Sequence, residues 1–169
     1  MSEIALPKIE KSIIDKKKEI VKKLSKLTNS DNVLSEADEL RPYETDALSV
    51  YTQTPLAVVL PENTEQVSEI LKYCHEENIK VVPRGAGTGL SGGALPLQDA
   101  ILLGLGKFNQ ILEIDYHNKC VVTQPGVTNL GITHAVQHKG FYYAPDPSSQ
   151  LACSIGGNVA ENSGGVHSL

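Results

Sequence analysis

Apolar positions recur along this chain with two periods. From Pro7 onward Ile9, Ile13, Ile14, Ile20, Val21, Leu24 and Leu27 return near every 3.6 residues, and lysines fill the opposite face. A proline at a first helical position suits the opening of such a helix. The segment reads either as a surface helix docked by one apolar stripe or as a seat for a membrane surface or a partner subunit. Residues 29–54 are polar and aperiodic, with turn signals at Thr28-Asn29-Ser30-Asp31 and Arg41-Pro42. Leu56-Ala57-Val58-Val59-Leu60, closed by Pro61, reads as a buried strand. Asn63 or Thr64 caps a helix running to about Glu77, with Val67, Ile70, Leu71 and Cys74 on one face. Ile79-Lys80-Val81-Val82-Pro83 is the next strand, so the three elements predict a βαβ unit with parallel strands and a right-handed crossover. Ala100-Ile101-Leu102-Leu103 is a further buried strand, and Ile111–Asp115 with Lys119–Thr123 predicts a strand pair around a turn at His117-Asn118. Val127 to about His138 reads as a helix ended by Gly140. The expected class is α/β (α+β): a small parallel sheet flanked by helices, then the start of a second subdomain after about Val121.

Composition narrows the function. The 169 residues carry 15 basic and 20 acidic side chains, a net charge of −5, which argues against a nucleic-acid partner. The charge is uneven: residues 1–28 hold eight lysines against four acidic groups, and the remainder is strongly acidic. No apolar run approaches the roughly 20 residues that cross a bilayer, so no transmembrane segment is expected. The three cysteines form no CxxC, so neither a disulfide framework nor a cysteine zinc site is expected, and a reducing cytoplasm fits. Attachment at the inner face of the membrane is the variant in which the basic helix meets lipid. His134 and His138 stand four apart on the expected helix but lack HExxH or a carboxylate cluster, so no metal is expected.

Glycine usage singles out two stretches. Five of the 14 glycines lie in Gly85–Gly93 and four in Gly156–Gly165. The first, Arg84-Gly85-Ala86-Gly87-Thr88-Gly89-Leu90-Ser91-Gly92-Gly93, follows a strand and literally contains GxGxxG. A Rossmann site needs its last glycine to open a helix, and Gly93 and Pro96 follow too soon. No Gly-Lys-Ser/Thr occurs, which excludes a Walker loop. The remaining readings are a wide structural turn or an anion nest in which bare amides turn inward, helped by Arg84, Thr88 and Ser91; that nest suits a diphosphate. The second stretch, Ser148 to Gly165, has two Gly-Gly pairs separated mostly by small residues. It reads either as backbone pressed against a flat ligand, with Ser154, Asn158 and Asn162 as polar contacts, or as a tight turn–helix–turn.

Taken together, these stretches resemble a known family. Arg41-Pro42-Tyr43-Glu44, Pro83-Arg84-Gly85-Ala86-Gly87-Thr88-Gly89-Leu90-Ser91-Gly92-Gly93-Ala94, Tyr143-Ala144-Pro145-Asp146-Pro147-Ser148-Ser149-Gln150 and Ile155-Gly156-Gly157-Asn158-Val159-Ala160-Glu161-Asn162 are similar to motifs of the FAD-linked oxidases of the vanillyl-alcohol oxidase and p-cresol methylhydroxylase type. The match is best to the branch that contains bacterial glycolate oxidase D subunits, and it runs from about Leu34 to Leu169. The resemblance implies that the first loop holds the FAD pyrophosphate through Arg84, Gly85, Ala86, Gly87, Thr88, Gly89, Leu90 and Ser91. It implies that Pro145, Asp146, Ser149, Ser154, Gly156, Gly157, Asn158, Ala160 and Gly164 hold the flavin side. Some relatives attach the flavin to a histidine where this chain has Thr88, so non-covalent FAD is implied. The implied reaction is hydride transfer from the α-carbon of a small 2-hydroxy acid, of glycolate or D-lactate type, to FAD, with an iron–sulfur partner subunit. The implied organisation is a basic helical segment over 1–33 and a partial FAD-binding domain over 34–169, lacking its C-terminal half and the substrate domain. A catalytic base is therefore not assigned, and self-association through uncovered apolar surface is expected. The other class of reading is a non-catalytic remnant that serves as a nucleotide-binding or subunit-interaction module.

Overall fold

The computed structural model describes residues 7–167; readings that fall on residues 1–6 and 168–169 lie outside it. The basic N-terminal stretch forms two helices rather than one, α1 (Lys11–Asp15) and α2 (Lys17–Leu27), separated at Lys16. Ile13, Ile20 and Leu24 are its buried stripe, whereas Ile9 and Ile14 are exposed. The segment expected to be irregular carries short elements: strand β1 (Val33–Leu34) and helix α3 (Ala37–Leu40). A one-turn helix and a two-residue strand are too short to produce a period. Helix α3 is held by a reciprocal cap, in which Glu39 accepts from the Glu36 amide at 3.1 Å.

The main sheet adds β2 (Ala57–Val59), β3 (Lys80–Arg84) and β4 (Ala100–Gly104), in the order β1-β2-β4-β3. β1 runs antiparallel to β2, and the other pairs are parallel. Helix α4 (Thr64–Glu76) joins β2 to β3, and Asn63 caps it by accepting from the Gln66 amide at 2.9 Å. The strands of the expected βαβ unit are thus parallel but not neighbours, because β4 inserts between them. The cause lies in the side chains. Every residue of β4 is buried, which suits a centre flanked on both sides. β3 carries Lys80, Pro83 and Arg84, which suit an edge.

Alternation along the strands divides the core. Ala57, Val59, Ile101 and Leu103 face the helical side and pack with Ile20 and Leu24 of α2 and Ile70 and Cys74 of α4. Val58 and Leu102 face the other way, against Leu40 of α3. Buried Asp99, just before β4, ties the N-terminal segment down. Its carboxylate accepts from Lys80 Nζ at 2.6 Å and from the Glu10 amide at 2.7 Å.

A separate antiparallel hairpin follows, β5 (Ile111–Asp115) and β6 (Cys120–Thr123). Asp115 closes its turn by accepting from the amide and side chain of Asn118, at 3.0 and 2.7 Å. Helix α5 (Asn129–Val136) runs through a 3-10 turn into Gly140, whose φ of 77° is the left-handed stop that glycine takes easily. The second glycine-rich stretch contains helix α6 (Ile155–Glu161), so its backbone is a turn–helix–turn. No helix forms across Gly87–Pro96. Among the described residues no helix is long and apolar enough to cross a membrane.

Candidate functional site

The glycine loop leaves the carboxyl end of β3, where parallel sheets leave room for ligands. It faces α6 across a cleft of about 350 Å³. Leu105 after β4 and Pro125 after β6 complete the walls. α6 is docked by its backbone: the Ile155 amide donates to Val127 O at 2.8 Å and the Gly156 amide to Pro125 O at 2.9 Å. This approach is so close that a β-carbon on Gly156 would stand 2.6 Å from Pro125 Cβ. Across the cleft, a β-carbon on Gly85 would collide with Ser154 Oγ and stand 3.7 Å from the Gly157 nitrogen. Glycine at 85 and at 156 is therefore demanded by close contact, with Ser154 at the first and Pro125 at the second.

Arg84 braces the loop from beneath. Its guanidinium lies against Gly87, donates to Tyr43 O at 3.3 Å and stands 5.8 Å over the Tyr43 ring. Burial pulls it below its ordinary pKa range, and Asp46 and Tyr43 pull the other way. The Ala47 amide donates to Gly87 O at 2.9 Å, so the segment after α3 straps the loop in place. Gly87 has φ of 71°, a conformation that a β-carbon would strain.

Of the residues singled out in the sequence, Arg84, Gly85, Ala86, Gly87, Thr88, Gly89, Ser149, Ser154, Gly156, Gly157, Asn158 and Ala160 line this one cleft. Two stretches about 60 residues apart are thus brought together. Leu90 and Ser91 turn to solvent and do not line it. Pro145, Asp146 and Gly164 also stand outside it. Asp146 instead pairs through its carboxylate with His167 Nδ1 at 2.8 Å, and its amide donates to Gly164 O at 2.9 Å. Glu161 and Ser163 line the cleft and were missed. The signal for Glu161 was its spacing of four from Gly157, which puts both on one helix face. His134 and His138 gather no ligand set; His138 packs edge-on to Tyr116, and no cluster of three metal-ligating side chains occurs among the described residues.

Residues 55–169 match the family described as FAD binding domain. The chain belongs to that family. It is 57% identical over 137 residues to the glycolate oxidase subunit GlcD of Escherichia coli K12, an alignment covering 81% of this chain and 28% of that protein. It is 35% identical over 135 residues to the mitochondrial D-2-hydroxyglutarate dehydrogenase of Arabidopsis thaliana, covering 80% and 24%. Its fold matches the crystal structure of p-cresol methylhydroxylase with a TM-score of 0.69 at 27% identity, over 86% of this chain and 29% of that one. The chain thus spans about a quarter of the curated relatives it matches.

The cleft suits this family's dinucleotide. Two of its polar side-chain atoms, Ser154 Oγ and Asn158 Nδ2, are buried without a hydrogen-bond partner among the described residues. Such groups cost roughly 1–3 kcal/mol unless something satisfies them. Ser154 Oγ packs against Gly85, and both residues are among those lining the cleft. Thr88 adds a hydroxyl and Arg84 a positive charge.

Proposed function

We propose that this chain forms the diphosphate-holding wall of a non-covalent FAD site, in a flavoprotein that oxidises a small 2-hydroxy acid of the glycolate or D-lactate type. The observation that carries the reading is the convergence of the glycine loop with Ser154 and Asn158, both buried and unpartnered, on one cleft. Bound FAD would supply the hydride acceptor. The chain's own part is to hold: loop amides and the Ser154 hydroxyl take the phosphate oxygens, the 43–47 segment keeps the loop in shape, and Leu105 and Pro125 exclude water from one side. Glu161 is the one carboxylate among the cleft-lining residues, which include no histidine, so no base for the substrate hydroxyl is assigned to this cleft. Thr88, a neutral alcohol, supports non-covalent binding.

The 2-hydroxy-acid substrate is supported by the two relatives, one named for glycolate and one for D-2-hydroxyglutarate. A partner subunit that takes electrons through iron–sulfur chemistry is part of the same reading. Tyr142, Leu151, Val159 and Val166 are each more than two-thirds exposed, which supports coverage by a partner, by further chain or by a second copy. A cytoplasmic site, with the lysine face of α1 and α2 against the inner membrane surface, completes the proposal.

Titration with FAD followed by amide NMR tests it. FAD is expected to shift the amides of Gly85–Gly89 and Ser154–Asn158, and acid precipitation is expected to release the flavin. Shifts confined to other regions, or none at millimolar FAD, would overturn the assignment; flavin retained in the acid pellet would overturn its non-covalent part.

A further inference from the structure

We infer that Glu161 fixes the direction in which a nucleotide lies along this cleft. Phosphates go to Gly85–Gly87. A hydroxyl-bearing group goes to Gly89–Gly93, with the Glu161 carboxylate as its acceptor. This rests on the nucleotide reading above and assigns a residue that reading does not use.

The charges carry the argument. Among the cleft-lining residues Arg84 and Glu161 are the two that carry charge, and they stand at different glycines. The Arg84 guanidinium lies under Gly87. Glu161 Oε1 lies 3.4 Å from where a β-carbon on Gly89 would stand, and 3.5 Å from the same point on Gly93. Helix α6 produces this offset. Gly157 presents bare backbone towards Gly85, and Glu161, one turn on along the same face, reaches the far end of the loop. Buried Ser154 Oγ, without a partner, marks the Gly85 end as the place for an oxygen-rich group. An ionised carboxylate only accepts hydrogen bonds. It repels a diphosphate and takes a hydroxyl, as acidic residues do for ribose in other dinucleotide sites. The cleft is therefore polar along its length, with a cation and bare amides at one end and a hydroxyl acceptor at the other.

Inorganic pyrophosphate and FAD, titrated separately into the chain and into Glu161→Gln and Glu161→Ala, test the assignment by amide NMR and calorimetry. Pyrophosphate is expected to shift Gly85–Gly87 in the parent. In both variants it should bind about three- to tenfold more tightly, the effect of removing one nearby like charge, and its shifts should extend to Gly89 and Gly93. FAD is expected to bind the alanine variant about three- to tenfold more weakly than the glutamine variant, which keeps an acceptor oxygen at equal charge. A looser helix would weaken both ligands together. Parent-like pyrophosphate binding in both variants, or equal FAD affinity in the two, would overturn the role of Glu161 and leave the glycine loop as the phosphate site. Silence of the loop amides towards both ligands, in parent and variants alike, would overturn that site and this inference with it.

Discussion

Replacing Gly156 with alanine should loosen one whole wall of the cleft, whereas the same change at Gly157 should not. Both residues lie in the first turn of α6, where alanine normally gains up to about 1 kcal/mol over glycine. At Gly156 the added carbon would stand 2.6 Å from Pro125 Cβ, 3.0 Å from Pro125 O and 3.2 Å from Pro125 Cα. None of these atoms can yield. The proline ring is closed on the backbone, and Gly126 is itself pressed so closely on the chain below that a β-carbon there would stand 2.7 Å from Phe108 O. The alternative is for α6 to lift, which breaks the bonds from Ile155 N to Val127 O and from Gly156 N to Pro125 O. Overpacking costs roughly 1–3 kcal/mol and each lost bond about 1 kcal/mol. Less the gain in helix propensity, the net loss is about 2 kcal/mol, or roughly 4–8 °C in melting temperature for a chain of this size. At Gly157 the nearest atom is Ser154 Oγ at 3.3 Å, a hydroxyl that can rotate away, so the melting temperature should hold or rise. Thermal unfolding reads the global effect, and hydrogen exchange of residues 155–161 reads local release of α6. Equal melting and equal exchange in the two variants would refute the reasoning.

Three further outcomes follow from the fold. Burial raises the Asp99 carboxyl, but the bonds from Lys80 and Glu10 outweigh it and hold the group below its ordinary value. Its contribution should therefore be present above roughly pH 4 and be lost as pH falls through the lower folded value. Asp99→Asn should cost about 2 kcal/mol at neutral pH and flatten the acid limb of a stability–pH curve; an unchanged limb would count against the tie. Asn63→Ala removes the cap of α4 and should cost about 1 kcal/mol in urea unfolding, with no change at all as the contrary result. Cys120 is exposed while Cys74 and Cys153 are buried, and burial pushes the Cys74 thiol up to about 11. One thiol should thus react promptly with a neutral-pH reagent and two only on unfolding; three prompt reactions would contradict the packing.

Local order was legible where a period ran long enough to be seen. Helix α4, the strands at 57–59, 80–84 and 100–104, the hairpin turn and the glycine stop after α5 all follow from spacing and turn chemistry that act within a few residues. The glycine loop was legible for a related reason: so many bare amides in one loop, followed by residues that bar a helix, leave a wide turn or a nest, and no helix forms there. Only the tertiary structure decided what those elements do together. β2 and β4 are both buried along their full length and take the interior of the sheet, and which of them neighbours β3 is a competition among strands that no single strand's pattern records. The short β1 and α3 are held by packing against elements distant in sequence: Val33 joins the helical-side core, and Leu40 packs with Val58 and Leu102. The site divides in the same way. Its glycines announced close approach, but not the partner approached: Gly156 is bare because Pro125 lies against it, and Gly85 because Ser154 does. Glu161 went unread because a carboxylate acquires meaning only from what faces it, and the loop that faces it lies about 70 residues earlier in the chain. Sequence determines which segments can fold locally and which backbones must be bare; contact between distant segments decides where the charges and donors of the site come to stand.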